Sequence, residues 1–417
     1  MRFSGYTGWA MDIHPPKGYL DPEPGAIHHH IPGITDIPFR ALYSKDIVNL
    51  LMAGRDVSCT HVALGTLRLI CTGAVMGQAA GAAAGICIDK GCTPADISKN
   101  HIKELQRTLA RHDQSMIGYQ LLESDDHSRN AKITASSECV MEQTSTVNWH
   151  HLAGRKGLIL PLESDILDSV DLFIHAKEDT TLEMDVVRSN KIQNYRLERI
   201  EKTVSVDVGA GKNWVTFPIG LANDETRKVM LLLKANPKVF IAYDNSNLTG
   251  VFGLSINGDS FDGKSRIDAN QHQIPAFRIS PEQRVYMARH LQDGHIRPLA
   301  LPHVWCSAAM RKNTPEWLEY VFDGERDVSS IELVFNSDTN SRNIRTDIHC
   351  ICPLLVRDYK ISCFDGQRWK VLVNETDNYL RFRRHAFDTE TTKKLKFEFF
   401  QTHGSESVEV FDIRIYG

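Results

Sequence analysis

The chain has 417 residues, of which 42% are hydrophobic and 24% charged, with a formal net charge of -4 and a pI of about 6.5. This is the composition of an ordinary folded protein, and it excludes a disordered, collagen-like or coiled-coil chain. Without a basic excess, nothing indicates a nucleic-acid groove or an anionic membrane surface, so we expect neither partner. The length predicts two to four domains.

The first 123 residues form the part of the chain with α/β character. The apolar residues 46–53 predict a buried strand, and residues 56–67 predict a loop. The uncharged, alanine-rich residues 69–88 predict a helix. Within that helix, glycines at 73, 77, 81 and 85 share one stripe, where a second backbone can approach closely.

The same twenty uncharged residues have the length of a membrane-spanning helix with a repeated GxxxG face. Gln78 at mid-span and the scarcity of large apolar residues favour a helix packed inside a soluble domain. Thr72 and Gly73 lie in its first turn, where unpaired N–H groups carry partial positive charge. Such a terminus suits a reduced flavin or a phosphate, and the spacing does not distinguish between them.

From about residue 130 the pattern changes to short runs that alternate apolar and polar residues. This alternation predicts strands with one buried face, and their number is typical of β-sandwiches. The predicted strands lie at residues 168–175, 181–187, 228–234, 238–243, 330–335 and 394–400. Polar linkers are predicted at residues 124–130 and 257–265, which gives domains at 1–123, 132–262 and 283–417.

Four runs near the amino terminus are similar to a known family. They are NLLMAGRDVSCTHVALGTLR at residues 49–68, CTGAVMGQAAGAAA at 71–84, GWAMDIHPP at 8–16 and IPFRAL at 37–42. Together they resemble the carboxyl-terminal signature of FAD-dependent oxidoreductases, over roughly residues 5–118. The resemblance implies a strand and helix that close a Rossmann-like FAD-binding domain, with the helix start facing the isoalloxazine ring of the FAD.

Carried over by position, the resemblance implies two sets of site residues. The resemblance implies catalytic or substrate-side roles for His14 and Arg40. Two structural roles remain open as alternatives, in which His14 only caps a proline-rich turn and Arg40 only forms an ion pair. The residues implied to line or support the flavin are Gly54, Arg55, Thr60, His61, Gly65, Arg68, Thr72, Gly73 and Gln78.

No metal site is predicted. His28, His29 and His30 are adjacent in sequence, so they cannot all face one ion in a regular strand or helix. Cys350 and Cys352 lack a second pair at zinc spacing.

The chain departs from the family in lacking the GxGxxG fingerprint that binds the FAD pyrophosphate. Its nearest glycine pair, Gly209 and Gly211, separates two alternating runs and predicts a hairpin turn. We therefore expect an incomplete FAD-binding domain end, which is completed by a separate FAD-binding half. An apolar surface left open by the missing half is expected to drive association, including homo-oligomers.

The carboxyl-terminal residues 283–417 resemble discoidin-like, galactose-binding-type jelly rolls, on Trp305, Trp369 and the strand runs around them. Residues 132–262 look like a second sandwich. Both tryptophans are expected in the core rather than as sugar platforms.

Two functions follow from these resemblances. The first is an FAD-dependent oxidoreductase that oxidises an alcohol group of a sugar or glycan-derived substrate, in which a base takes the hydroxyl proton while the flavin takes the hydride. The second is a non-catalytic protein whose sandwiches bind carbohydrate or a partner. The first residues lack the apolar run of a secretory signal, and the compartment is left open between cytoplasm and periplasm.

Overall fold

A computed structural model describes residues 3–8, 10–29, 33–195, 197–245, 247–256, 267–270, 273–338 and 351–417. Trp9, His30, Cys350 and the predicted linker at 257–265 lie outside the described residues. The chain divides into two compact units, one of residues 1–121 with 193–195 and one of residues 122–192 with 196–417. The three-domain division made from the sequence stays a prediction.

The first unit combines small antiparallel sheets with helices. Its strands are β1 (Phe3–Thr7), β2 (Met11–Ile13), β3 (Ile27–His29) and β4 (Thr35–Pro38), in which β1 pairs with β4 and β2 with β3. Its helices are α1 (His61–Leu67), α2 (Ile70–Lys90), α3 (Pro94–Asp96) and α4 (Ile102–Arg111), with 3-10 turns at Gly18–Leu20 and Phe39–Leu42 and a π turn at Ile97–His101.

Helix α2 confirms the predicted helix, and its buried side is formed by small and apolar residues such as Met76, Ala79 and Ala83. These residues share a core with α4 and with the 3-10 turn after β4. By length and composition, α2 is also the one described helix that is apolar enough to cross a bilayer, and 33% of its most apolar window is buried.

The glycine stripe of α2 does not contact another backbone as predicted along most of its length. A methyl group built on Gly77, Gly81 or Gly85 would meet no atom within 4 Å. Only at Gly73 does a backbone come close, since a Cβ there would lie 3.6 Å from the Cα of Gly54. Beyond its first turn, the stripe therefore faces solvent.

The strand predicted at residues 46–53 is wrong. The segment consists of bends and a turn with one bridge, between Tyr43 and Leu51, and Val48 is 71% exposed. A strand buried on both faces needs parallel neighbours, and the described part of this unit supplies none. The loop predicted at 56–67 is wrong in its second half, where α1 begins after Thr60 accepts a hydrogen bond from Ala63 N at 3.3 Å.

The second unit is built almost wholly from antiparallel strands, and all six strands predicted from the alternation are confirmed. Its 3-10 turns lie at His127–Asn130 and Ala288–Gln292. The strands are β5 (Lys132–Ala135), β6 (Asn148–His151), β7 (Arg155–Pro161), β8 (Ile166–Ala176), β9 (Thr180–Arg188), β10 (Arg199–Val208), β11 (Gly211–Ala222), β12 (Lys228–Leu233), β13 (Val239–Asp244), β14 (Phe252–Ile256), β15 (Ile267–Asn270), β16 (Ile274–Pro275), β17 (Phe277–Ser280), β18 (Trp305–Cys306), β19 (Glu316–Phe335), β20 (Val356–Phe364), β21 (Trp369–Glu375), β22 (Phe382–Thr402) and β23 (Glu409–Tyr416).

Two sheets form a sandwich in the first half of this unit. One has the order β10-β9-β12-β7-β14-β15, and the other has β11-β8-β13-β16 with β6 and β17 beside it. The predicted hairpin at Gly209 and Gly211 is wrong, because β10 pairs with β9 while β11 pairs with β8 in the opposite sheet. Val208 and Val215 are both buried in the core that the sheets share, so the turn crosses from one layer to the other.

The third sheet has the order β18-β23-β19-β22-β20-β21, and β5 adds to β19. The long strands β19 and β22 change register twice, at breaks that let one sheet bend around its own core. Trp305 is fully buried there, as predicted, whereas Trp369 is 38% exposed. A polar contact inside the unit joins this sheet to the sandwich, since Thr249 Oγ1 donates to Glu409 Oε2 at 2.6 Å.

Candidate functional site

Asp12 is the centre of a polar cluster in the first unit. Its Oδ2 accepts a hydrogen bond from Arg68 Nη2 at 2.8 Å, and the same Nη2 donates to the Asp12 carbonyl oxygen at 3.0 Å. His14 Nε2 lies 3.4 Å from Oδ2, and His28 Nε2 lies 3.3 Å from Oδ1. One carboxylate, with its side chain 19% exposed, thus joins an arginine and two imidazoles.

The local fold explains why these residues meet. His28 is directly opposite Asp12 in the β2–β3 ladder, and His14 follows two residues later on the chain. Arg68 ends α1, and α1 can approach β2 only because position 65 is glycine. A Cβ on Gly65 would lie 2.9 Å from the Asp12 carbonyl oxygen and 3.3 Å from its carbonyl carbon.

A chain of buried hydroxyl groups lies beside this cluster. Thr72 Oγ1 donates to Thr7 Oγ1 at 3.3 Å, and Thr7 Oγ1 is 3.1 Å from the carbonyl oxygen of Thr66. These contacts fix β1 against the start of α2. Thr72 therefore supports the site from within the protein, and Gly73 sits over Gly54, which has a φ of 109°.

The remaining residues predicted for the site lie elsewhere on the first unit. Arg40, Arg55 and His61 are exposed, and Thr60 serves as the cap of α1. Gln78 Nε2 donates to the carbonyl oxygen of His112 at 3.2 Å, which joins α2 to the end of α4. The structure thus brings His14, Gly65 and Arg68 together around Asp12. The residues that it does not bring to the Asp12 carboxylate are Arg40, Arg55, Thr60, His61 and Gln78.

Asp12 and His28 are the residues of this cluster that the sequence analysis missed. A signal for Asp12 was present, since a carboxylate stands two residues before His14 in the run GWAMDIHPP. His28 was noted only as one of three adjacent histidines, and only the pairing of β2 with β3 brings it beside Asp12.

Two cysteines of the first unit, Cys59 and Cys87, are poor nucleophiles. Desolvation raises the pKa of the Cys59 thiol. Burial, with the neighbouring Cys92 adding to the effect, raises the pKa of Cys87 to about 11. Both groups are therefore protonated at neutral pH, and the Asp12 cluster is the better candidate for chemistry in this unit.

A second candidate site is a row of aromatic side chains on the outer face of the sheet that contains β8. Phe173 and His175 point away from the core, whereas Leu172 and Ile174, on either side of Phe173 along the strand, are buried. The Phe173 ring centroid lies 5.1 Å from that of Trp214 and 5.3 Å from that of Trp149.

His175 extends this row, with its ring centroid 5.7 Å from Trp149 and 6.1 Å from Phe240. All five rings are partly exposed. We call Trp149, Phe173, His175, Trp214 and Phe240 the aromatic row.

Cations flank the aromatic row. The Arg278 guanidinium lies 4.2 Å from the centroid of Trp214, the Lys212 ammonium lies 5.2 Å from that of Trp149, and the Lys177 ammonium lies 5.2 Å from that of Phe240. Such contacts are worth about 0.5–1 kcal/mol each at exposed sites. The surface therefore combines ring faces with positive charge.

Comparison with known proteins finds a family model that matches the amino-terminal segment. The model of a family described as FAD dependent oxidoreductase matches residues 5–109, about a quarter of the chain. No curated protein matches the chain.

The similar solved structures include family 32 carbohydrate-binding modules. The module of Streptococcus pneumoniae EndoD is 12% identical, with a TM-score of 0.26, over 31% of this chain and 85% of that chain. The family 32 module of Clostridium perfringens NanJ, solved in complex with galactose, is 18% identical, with a TM-score of 0.24, over 31% of this chain and 84% of that chain.

Proposed function

We propose that the first unit supplies the flavin-ring and substrate side of an FAD-dependent oxidoreductase, which oxidises an alcohol group of a sugar or glycan-derived molecule. The observation that carries this proposal is the Asp12 carboxylate, which holds His14 and Arg68 together inside the segment that matches the family.

The described residues fit one end of FAD and not the other. The start of α2 is open to solvent at Ile70, which is 91% exposed, although the Gly54 backbone approaches Gly73 closely, and Arg68 is fixed nearby in sequence. For the pyrophosphate and adenosine, the described part of the unit offers only two-stranded antiparallel sheets and no strand, glycine loop and helix in succession. We infer that residues outside this chain hold that end.

His14 is the proposed proton acceptor. Its Nε2 faces the Asp12 carboxylate, so the neutral imidazole carries its proton there and keeps the Nδ1 lone pair for a substrate hydroxyl. The side chain is 49% exposed, which leaves room for a substrate. Asp12 stabilises the imidazolium after proton transfer, and Arg68 compensates the Asp12 charge beforehand. A bound flavin would supply the hydride acceptor.

Arg40 has a different proposed role. It is exposed on the 3-10 turn that follows β4. A guanidinium there would attract an anionic substrate without taking part in proton transfer.

Binding of lumiflavin, the ring system without phosphate or adenosine, tests the ring-side site directly. We expect the fluorescence of lumiflavin to be quenched when it binds to the purified chain. Arg68→Met and Asp12→Asn are expected to weaken the affinity for lumiflavin at least about tenfold, which is the effect of one lost charge-assisted contact. Ile88→Ala is the control, because Ile88 is 81% exposed at the opposite end of α2. Equal affinity in all four proteins would contradict the proposal.

A separate assay tests the base. In the enzyme assembled with its nucleotide-binding half and FAD, His14→Gln is expected to lower kcat by about 10²–10⁴-fold on any alcohol that is oxidised. Unchanged kcat would remove His14 from the mechanism.

The aromatic row supports a second function, the binding of carbohydrate by the second unit. Partly exposed rings side by side on one face of a sheet offer apolar surface to the C–H groups of a sugar. Because Arg278, Lys212 and Lys177 surround the rings, an acidic sugar such as a uronic acid is the preferred ligand.

Titration calorimetry with neutral and acidic oligosaccharides tests this function. Trp149→Ala and Trp214→Ala are expected to lose about 1–3 kcal/mol of binding free energy each, the usual cost of removing a contact-centre aromatic residue. Trp369→Ala is the matched control, since Trp369 is exposed on β21 and lies apart from the aromatic row. An equal loss in the control would refute the assignment.

A further inference from the structure

A cluster of histidine and carboxylate side chains in the second unit lies apart from both sites described above. His290 belongs to the 3-10 turn Ala288–Gln292, Asp293 follows that turn, and His303 precedes β18. One ligand atom from each lies within 4.8 Å of the other two. His290 is 6% exposed, and the side chains of His303 and Asp293 are 13% and 23% exposed.

The hydrogen bonds around His303 determine which of its nitrogens faces Asp293. Nε2 lies 2.8 Å from the carbonyl oxygen of Leu299, which can only accept, so Nε2 carries the proton in the neutral ring. The Nδ1 lone pair then faces Asp293 Oδ2 at 2.6 Å. Two acceptors therefore oppose each other.

His290 repeats this arrangement. Its Nε2 lies 3.8 Å from Glu163 Oε2, and both atoms are buried without a hydrogen-bond partner among the described residues. A proton on Nε2 would face this carboxylate and leave the Nδ1 lone pair toward Asp293 Oδ2, which is 3.3 Å away. Glu163 is anchored in turn, since its Oε1 accepts from Arg289.

With these tautomers three lone pairs converge, an arrangement that a cation bound between them would stabilise. We propose that His290 Nδ1, His303 Nδ1 and Asp293 Oδ2 bind a divalent transition-metal ion, of which Zn²⁺ is the probe. Two imidazoles and a carboxylate are the ligands that Zn²⁺ takes in sites with one open position. At zinc–ligand distances near 2.0–2.1 Å, neighbouring ligand atoms of a tetrahedron are about 3.3 Å apart, which is the separation of His290 Nδ1 from Asp293 Oδ2.

The outer contacts are those that metal-binding histidines ordinarily make. A carboxylate behind His290 and a backbone carbonyl behind His303 fix each ring and its tautomer. Asp293 is oriented by its other oxygen, which accepts from the backbone N–H of His295 at 2.9 Å. A small rotation of the Asp293 carboxylate would open its 2.6 Å contact with His303 to the distance that a shared ion requires.

The full chain is tested by dialysis against Zn²⁺, followed by metal analysis and by titration with Co²⁺ as a visible probe. We expect one zinc per wild-type chain, and Co²⁺ to give the intense visible absorption of a four-coordinate site. Asp293→Asn and His303→Ala are expected to lower the affinity at least 10-fold, and Asn at 293 can still accept from His295 N. His151→Ala is the control, because His151 is exposed on β6 and its ring contacts Pro237 and Phe240, neither of which belongs to the proposed zinc site.

Circular dichroism first establishes that each variant is folded, and if one of the two variants unfolds, the other decides. A wild-type chain that retains no zinc overturns the proposal whatever the variants do. So does an equal loss of zinc in His151→Ala. Nitrogen NMR that shows a doubly protonated His290 ring in the presence of zinc would also overturn it, because the cation would then be a proton.

Discussion

The same substitution, glycine to alanine, is expected to have opposite effects at two positions of the first unit. At Gly65 the new methyl group would lie 2.9 Å from the Asp12 carbonyl oxygen, which is backbone and cannot rotate away. Overpacking of this kind costs about 1–3 kcal/mol. The higher helix propensity of alanine offsets about 1 kcal/mol. We therefore expect Gly65→Ala to lower the free energy of unfolding by about 1 kcal/mol, from the difference between these two values.

At Gly81 the methyl group would meet no atom within 4 Å, so only the helix propensity changes. Gly81→Ala should raise the free energy of unfolding by about 1 kcal/mol. The two variants then differ by about 2 kcal/mol although the chemical change is identical.

Urea unfolding of the full chain, followed by helical circular dichroism, measures this difference, because the α-helices all belong to the first unit in the described part of the chain. Gly65→Ala should also weaken lumiflavin binding, since α1 carries Arg68 against Asp12. A destabilising Gly81→Ala would refute the reasoning, as it would mean that the glycine stripe is covered by another copy, a partner or a bilayer.

Three further predictions concern stability. Arg129→Met should lower the free energy of unfolding by about 3–5 kcal/mol, because the Asp412 carboxylate, with its side chain 1% exposed, loses the guanidinium that lies 3.0 Å away. Urea unfolding of Arg129→Met, of Asp412→Leu and of the double variant measures the coupling between the two side chains. Fully additive losses of stability would contradict the prediction. Burial, with Arg383 adding to it, lowers the pKa of His385 to about 4, so the unfolded state binds the extra proton first and stability should fall as the pH drops from about 6.5 to about 4. The full shift corresponds to about 3 kcal/mol, and because solvent screens the partly exposed ring we expect a loss of about 1–2 kcal/mol. His385→Phe should flatten that slope. Gln78→Ala should lower the free energy of unfolding by about 1 kcal/mol, because the side chain loses its hydrogen bond to the carbonyl oxygen of His112. A larger loss of flavin-binding free energy than of stability would contradict this structural role and indicate that Gln78 contacts the flavin.

Local sequence patterns were sufficient to predict much of the secondary structure of this protein and the family that its amino-terminal segment resembles. The alternation of apolar and polar residues was sufficient to place the strands of the second unit, because the side chains of a half-buried strand point alternately to each face. The alanine content was sufficient for α2. The runs that resemble FAD-dependent oxidoreductases pointed to residues 5–118, and a family match at residues 5–109 supports that assignment.

Pairing between distant segments was decided only by the tertiary structure. The apolar run at residues 46–53 forms no strand, since a strand requires a neighbour that the run itself cannot specify. The turn at Gly209 joins two sheets because Val208 and Val215 face one core, and the turn residues do not encode this.

The candidate sites show the same division. His14, Gly65 and Arg68 were identifiable as single residues, but Asp12 became their centre only when β2 paired with β3 and α1 closed over it. His290 and His303 carry no zinc spacing in the sequence, and they converge on Asp293 only in the folded chain. The sequence encodes which side chains are available, whereas contacts between residues far apart along the chain decide which of them share a charge, a proton or an ion.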